Sequence, residues 1–316
     1  MMITDLEQRL LERLHDADAG VRRIAVLDLL DSDEENISPL LITALRDPDA
    51  GVRIEAARLL EGYETHDAVR ALIAALDDPD KDVAHAAADS LAELKEREMA
   101  EPLLAALAKP VTPSKQAALL RAVRELRAAD AFAPAMSALD SDSSVVRCAG
   151  VGVLGYLRNA DALPDIAKIA ATDPDPEARR IAIGALGFST DAIVVKQTLV
   201  AALRDGFWQV REEAAVTLGK LKLVDAANDL ILVMTDAYWQ VRVKAARSLG
   251  KLKARSALPV LIDALSHEIS NLRKEAVVAL GEIGDLEAIP ALENALYDSD
   301  PDVRKLARLA LTQLST

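Results

Sequence analysis

Few residues in this chain are of types that could do bond-making chemistry, and their spacing argues against it. Four histidines, His15, His66, His85 and His267, stand far apart, and the single cysteine, Cys148, can form neither an internal disulfide nor a cysteine-cluster metal site. His267-Glu268 is a lone His-Glu pair, too few ligands for a metal centre. No Gly-rich phosphate loop, nucleophile elbow or HExxH occurs. The expectation is therefore no catalytic residue, no metal and no cofactor.

Recognition is the chemistry that the side chains do suggest. Asp205-Gly-Phe-Trp-Gln-Val-Arg211 recurs 31 residues later as Asp236-Ala-Tyr-Trp-Gln-Val-Arg242. The two copies hold Phe207, Trp208, Tyr238 and Trp239, four of only nine aromatic residues. Core aromatics would fall on the apolar stripe of a helix, whereas these fall at a turn and a helix start. Trp, Tyr and Arg are the residue types enriched where binding energy is concentrated.

The elements that carry these residues follow from the repeat. Val-Arg or a close variant stands at Arg22, Arg53, Arg147, Arg179, Arg211, Arg242, Arg273 and Arg304, spaced by 31 or 32 residues except for one gap of 94. That gap is three repeats long and places Ala84 and Gln116 in the Arg phase, so ten repeats account for residues 1–316 as a single array. Each Val-Arg opens a small-residue helix such as VREEAAVTLGKL, with apolar positions three and four apart. A Gly eight residues after the Arg, at Gly155, Gly187, Gly219, Gly250 and Gly281, is read as the stop of that helix. A second Ala/Leu-rich helix completes the repeat, with Pro39, Pro102, Pro164, Pro259 and Pro290 near its start.

Polar residues keep the same phase. Asp18, Asp49, Asp80, Thr112, Ser143, Asp175 and Asp300 lie four residues before the Arg phase and are expected N-caps. Phe207, Tyr238 and Ile269 take that position in three other repeats. Asp16, Asp47, Asp78, Asp173, Asp205, Asp236 and Asp298, six residues before it, are expected to form a ladder of turns and inter-repeat ion pairs with the arginines. His267 stands in the phase of these Asp residues, which gives it a turn or capping role.

A helical hairpin of this length cannot bury its apolar stripe alone, but a stack of them can. The fold class is therefore all-α, an α-solenoid of about ten hairpins, expected as a curved superhelical rod on the order of 100 Å long. The motif D-x-D-x-x-V-R-x-x-A-A-x-x-L-G-x-L resembles the short HEAT-like repeats, which are also found in phycobilisome bilin lyases. The resemblance covers the whole chain. It implies that the helix after Val-Arg lines the concave face. It would place Trp208, Trp239, Arg180, Lys244 and Arg247 there, beside small residues such as Gly152 and Gly184. Residues 108–116, AKPVTPSKQ, sit where the Arg ladder is broken. They read either as drift in a tolerant array or as a bend. Helices at 3–14 and 303–314 are expected to close the two ends.

Composition sets the remaining bounds. The hydrophobic share is 51% but aromatics are 3%, so the core must be Ala, Leu, Val and Ile. The net charge of −14 argues against a phosphate-binding surface. No apolar run is long enough to span a membrane, and the first residues do not read as a secretion signal, so a cytoplasmic location is expected. The leading expectation is a non-enzymatic scaffold that grips a protein partner on its concave face. Its expected anchors are Phe207, Trp208, Tyr238 and Trp239, with Arg180, Lys244 and Arg247 pairing partner carboxylates. The bilin-lyase resemblance implies an alternative: a lyase, isomerase or chaperone of a bilin chromophore on an antenna protein. Resemblances to HEAT-like DNA glycosylases and to HEAT-like di-iron hydroxylases are weaker. The acidic chain suits the first poorly, and the second needs several His-Glu pairs.

Overall fold

The computed structural model describes residues 5–31, 37–190 and 192–315. Residues 1–4, and with them the start of the expected first helix, lie outside these; that helix is described from Asp5 to Arg13. Among the described residues the secondary structure is helix and turn, with no strand. The chain forms two compact units, Met1–Leu157 and Arg158–Thr316. Each is a run of helical hairpins, and the fold class is an α-solenoid.

In the first unit the helices that follow the Arg-phase turns are Ala19–Asp28, Ala50–Leu59, Lys81–Ala92, Pro113–Glu125 and Ser144–Leu157, and each packs on the next. In the second they are Pro176–Leu186, Trp208–Lys220, Trp239–Lys251, Ser270–Ile283 and Pro301–Leu314, again packed in sequence. We call these the inner helices, after the face that the repeat resemblance implies for them. The other helix of each hairpin is shorter, for example Ala227–Val233 or Leu258–Ala264, and packs on its own inner helix. A single turn of 3-10 helix, such as Arg255–Ala257, leads into most of these short helices. The proline at Pro164, Pro259 or Pro290 then occupies the first turn, where no intrahelical donor is lost.

The core explains the composition. Ala214, Ala215 and Leu218 are fully buried, as are their counterparts Ala245, Ala246 and Leu249. Alanine on facing inner helices lets the backbones approach, while leucine and valine fill the space towards the short helices. Ser90 and Ser248, both buried, donate their hydroxyls to the carbonyls of Ala57 and Ala215 in the preceding inner helix, at 2.9 and 2.7 Å.

The glycines have a different role from the one expected. Gly155, Gly219, Gly250 and Gly281 lie inside the inner helices, and only Gly187 sits at a helix end, there with an ordinary right-handed φ of −66°. At Gly219, Gly250 and Gly281 the glycine allows close approach of the next inner helix. A Cβ on Gly250 would lie 2.7 Å from the Ala279 Cα, and one on Gly219 would lie 2.7 Å from the Ser248 Cβ. The left-handed residue that ends the inner helix comes three positions later and is usually not glycine: Arg127, Arg158, Lys222 and Lys253 have φ of 50–54°, and Gly284 has 75°.

Two opposite outcomes follow for conservative-looking substitutions. Gly250→Ala should destabilise the second unit by ~1–3 kcal/mol through overpacking against Ala279. Lys222→Gly or Lys253→Gly should stabilise it by ~0.5–1 kcal/mol, because the left-handed backbone strain of a side-chain-bearing residue is relieved. Urea denaturation followed by circular dichroism measures both.

Candidate functional site

The turns that open the inner helices hold the polar framework on which the candidate site is mounted. Arg211 donates through Nε and Nη2 to the two carboxylate oxygens of Asp236 in the next repeat, at 2.6 and 2.9 Å. Its Nη1 reaches back to the Asp205 carbonyl of its own turn at 2.8 Å. Asp236 Oδ1 also accepts the Tyr238 backbone N–H, at 2.9 Å. The same arrangement joins Arg22 to Asp47, Arg53 to Asp78, Arg179 to Asp205 and Arg273 to Asp298. The expected ladder thus takes the form of a fork: one guanidinium ties its own turn, the next turn and the two inner helices into one unit. These side chains are only about a tenth exposed, so the bidentate geometry is held out of bulk water.

The ladder titrates accordingly. The hydrogen bond from Arg22 holds the Asp47 carboxylate below its ordinary pKa, and that from Arg273 does the same for Asp298. At Asp236 burial opposes ionisation, but the bonds from Arg211 and the Tyr238 N–H outweigh it. Asp300 is held at about 2 by the Lys274 ammonium.

Where Arg is missing, its acceptor is missing too. Ala84 would face Pro110, and Gln116 would face Ser141. At the first of these junctions Lys115 reaches back to Asp77 at 2.6 Å, a link of opposite direction.

The aromatic residues stand on this framework. Asp18, Asp49, Asp80, Thr112, Asp175 and Asp300 cap their helices through the side chain as expected, whereas Phe207, Tyr238 and Ile269 occupy the cap position with no side-chain bond. The ring of Phe207 lies against the Arg179 guanidinium, 5.6 Å from ring centroid to the guanidinium carbon, and that of Tyr238 against Arg211 at 5.7 Å. Trp208 stacks on Tyr238 with centroids 5.6 Å apart and planes inclined by 15°. Phe207 and Tyr238 remain 50% and 46% exposed, while Trp208 and Trp239 are half-buried at the first position of their helices. The stack therefore crosses from one repeat to the next.

The three expected cations lie on the inner helices of the same unit, each beside a carboxylate of this chain. Arg180 is bidentate to Glu177 at 2.8 and 2.7 Å and lies 3.7 Å from Glu213. Lys244 lies 3.8 Å from Glu212, and Arg247 is bidentate to Glu275. Glu213 packs over Gly184, where a Cβ would stand 3.0 Å from its carboxylate, and burial pushes its pKa up. The pairs with Glu213, Glu212 and Glu275 were not legible in the sequence, because they join residues about one repeat apart on neighbouring helices, whereas Glu177 lies one turn before Arg180 on the same helix.

Among the described residues no group of three His, Cys, Asp or Glu side chains could hold a metal ion, and no helix is long and apolar enough to cross a membrane.

The forks and Glu213 respond to pH in opposite senses. The ladder aspartates have lowered pKa values, so their stabilisation is complete above the ordinary carboxylate pKa of about 4 and is lost as pH falls through the lowered values. Arg211→Ala should cost ~2–4 kcal/mol at pH 7. Arg304→Ala should cost less, since among the described residues Arg304 bonds only its own turn. The gap between these two variants in urea midpoint should narrow below pH 4. Glu213 has a raised pKa, so its contribution is complete below its unfolded pKa and is lost as pH rises. Glu213→Gln should therefore gain in melting temperature relative to the parent between pH 4 and pH 8.

The profile of HEAT repeats matches residues 7–92, 38–124, 100–187, 132–219, 166–236 and 227–312. Comparison with curated proteins finds no match. Among solved structures, the chain is similar to YibA of E. coli at 21% identity and a TM-score of 0.55, covering 95% of this chain and 98% of that one. It is similar to an engineered protein at 21% identity and a TM-score of 0.52, covering 98% of both chains. It is also similar to Kap95p from a complex with RanGDP, at 14% identity and a TM-score of 0.65; all of this chain aligns with half of Kap95p. The matching profile describes HEAT repeats at large, a coarser assignment than the bilin-lyase type of repeat. Phase, fork and fold agree with it, and the chain belongs to the HEAT-repeat family.

Proposed function

We propose that this chain is a non-enzymatic, protein-binding scaffold whose partner docks on the aromatic strip of the second unit. Phe207, Trp208, Tyr238 and Trp239 anchor the partner, and Arg180, Lys244 and Arg247 supply charged contacts beside them. The observation that carries this reading is the pair of aromatic caps. Two adjacent helices give up a side-chain N-cap, worth ~0.5–2 kcal/mol each, and leave Phe207 and Tyr238 about half exposed. Arg179 lies over the Phe207 ring, and Arg211 and Trp208 both lie against that of Tyr238, yet about half of each residue stays exposed to a partner.

The charge pattern supports a protein over a nucleic acid. Glu177, Glu212, Glu213 and Glu275 lie against the three cations, so a phosphate backbone would meet neutralised pairs. A partner carboxylate would exchange with an internal one, which favours orientation and specificity over affinity. Kap95p, similar in fold, binds RanGDP, so a solenoid of this kind can serve as a protein-binding surface. The bilin alternative rests on the resemblance of the repeat motif and on aromatic residues with Arg and Lys nearby that could meet propionates, and no comparison adds to it.

Trp208→Ala/Trp239→Ala should weaken partner binding by more than ~2 kcal/mol, about 30-fold, while helicity is unchanged. Parallel affinity capture from the native host with parent and variant, followed by titration of the recovered partner, measures this. A partner bound equally by both proteins would reduce the aromatic strip to packing between repeats.

A further inference from the structure

The junction between the repeats of Arg242 and Arg273 departs from the fork in one residue. Where Arg22, Arg53, Arg179, Arg211 and Arg273 each meet an aspartate of the following turn, Arg242 meets His267. The imidazole copies the aspartate only in part. Its Nδ1 stands 3.0 Å from the Ile269 backbone N–H, as an Asp oxygen does elsewhere, and its Nε2 stands 3.2 Å from Arg242 Nη2. Arg242 Nε is buried and has no acceptor.

This set of contacts cannot be satisfied by the imidazole alone. With Nδ1 accepting from Ile269, the neutral ring carries its proton on Nε2, and that N–H points at another donor, Arg242 Nη2. The other neutral tautomer accepts from Arg242 but sets Nδ1–H against the Ile269 N–H. An imidazolium is a donor on both sides, next to a guanidinium. Every protonation state leaves donors facing donors, and Arg242 Nε is unpaired in all of them.

The surroundings offer room for an acceptor. Arg242 and His267 line a pocket of about 380 Å³ together with Met234, Val260, Ser266 and Leu272. Asp263 is its one acidic lining residue, whereas Arg242 Nη1 donates to the Asp236 carbonyl at 3.1 Å and its Nη2 meets His267. The equivalent position in the first unit shows what the place is built for: a pocket of about 420 Å³ contains Arg22 and Asp47, and there the fork holds the carboxylate at 2.7 and 2.8 Å.

We infer that the Arg242–His267 pocket is a carboxylate-binding site, in which an incoming carboxylate takes the place that aspartate holds at the other forks. It accepts from Arg242 Nε and Nη2 and from His267 Nε2–H, with the imidazole turning about its Cβ–Cγ bond to admit it. Val260, Leu272 and Met234 cover a short apolar stem. The carboxylate comes either from a small organic acid or from an acidic side chain of a bound protein, and the two share this chemistry. The inference is independent of the aromatic strip, which it neither uses nor requires.

The test follows the Arg242 Nε–H resonance and the melting temperature of the full chain during titration with sodium acetate, with N-acetyl-aspartate amide, and with sodium chloride at matched ionic strength. A saturable downfield shift with either carboxylate and not with chloride is expected. It should be weakened at least about tenfold in His267→Asp, which supplies the carboxylate internally and should itself melt higher than the parent. Tighter binding of the blocked aspartate assigns the source to a protein side chain, and tighter binding of acetate assigns it to a small acid. A response equal to that of chloride, or one unchanged in His267→Asp, overturns the inference and leaves the fork to water. Because Trp208 and Trp239 play no part, the aromatic double variant should bind both probes as the parent does.

Discussion

The bidentate arginine–aspartate fork is the interaction on which the rest of this structure depends. Packing alone would hold successive hairpins together, since alanine-rich faces attract without preference for angle. The fork adds direction. One planar guanidinium is fixed at once to two carbonyls of its own turn and to both oxygens of the next aspartate, as at Arg53. A planar group with five donors can satisfy these acceptors only in one orientation, so the register between repeats is specified by chemistry as well as by shape. The cost of burying the pair is offset because each aspartate also accepts a backbone N–H that would otherwise be left at the helix start.

The aromatic residues take their meaning from that framework. At most repeats the cap position carries a small polar residue that finishes the turn. At Phe207 and Tyr238 the aspartate two residues earlier already ties down the backbone, so the cap side chain is released for another purpose. Each ring settles on a fork arginine, that of Tyr238 also on Trp208, and both residues stay about half exposed. A binding strip can thus be added to the solenoid without disturbing the repeat, because it replaces the least essential of the turn's polar contacts.

The same logic applies to His267. A repeat framework makes one altered residue conspicuous, because the neighbouring junctions show what that position ordinarily does. Imidazole matches the turn-forming half of the aspartate and fails at the half that serves the arginine. The result is a local excess of donors in an otherwise satisfied ladder, at a place where the fold already provides a pocket.

The repeat length, the helical class, the cap series and the pairing of Arg with Asp were determined by the sequence itself, because each depends on residues that keep one phase. The positions of Trp208 and Trp239 at helix starts were legible for the same reason. The tertiary structure decided what depends on neighbouring helices. Gly219 and Gly250 look like helix stops in one dimension, but they lie where the next inner helix comes within contact of their Cα, and the left-handed turn falls on Lys222 and Lys253 instead. Glu177, one turn before Arg180 on the same helix, is a partner that the sequence offers, but only packing brings Glu213 against Arg180, Glu212 against Lys244 and Glu275 against Arg247. His267 reads as a turn residue, and it is one; only the placement of Arg242 beside it shows that the turn was completed and the fork was not. Periodicity encodes which residues are equivalent, whereas contacts between equivalent residues in successive repeats are set by the angle and spacing at which the helices pack.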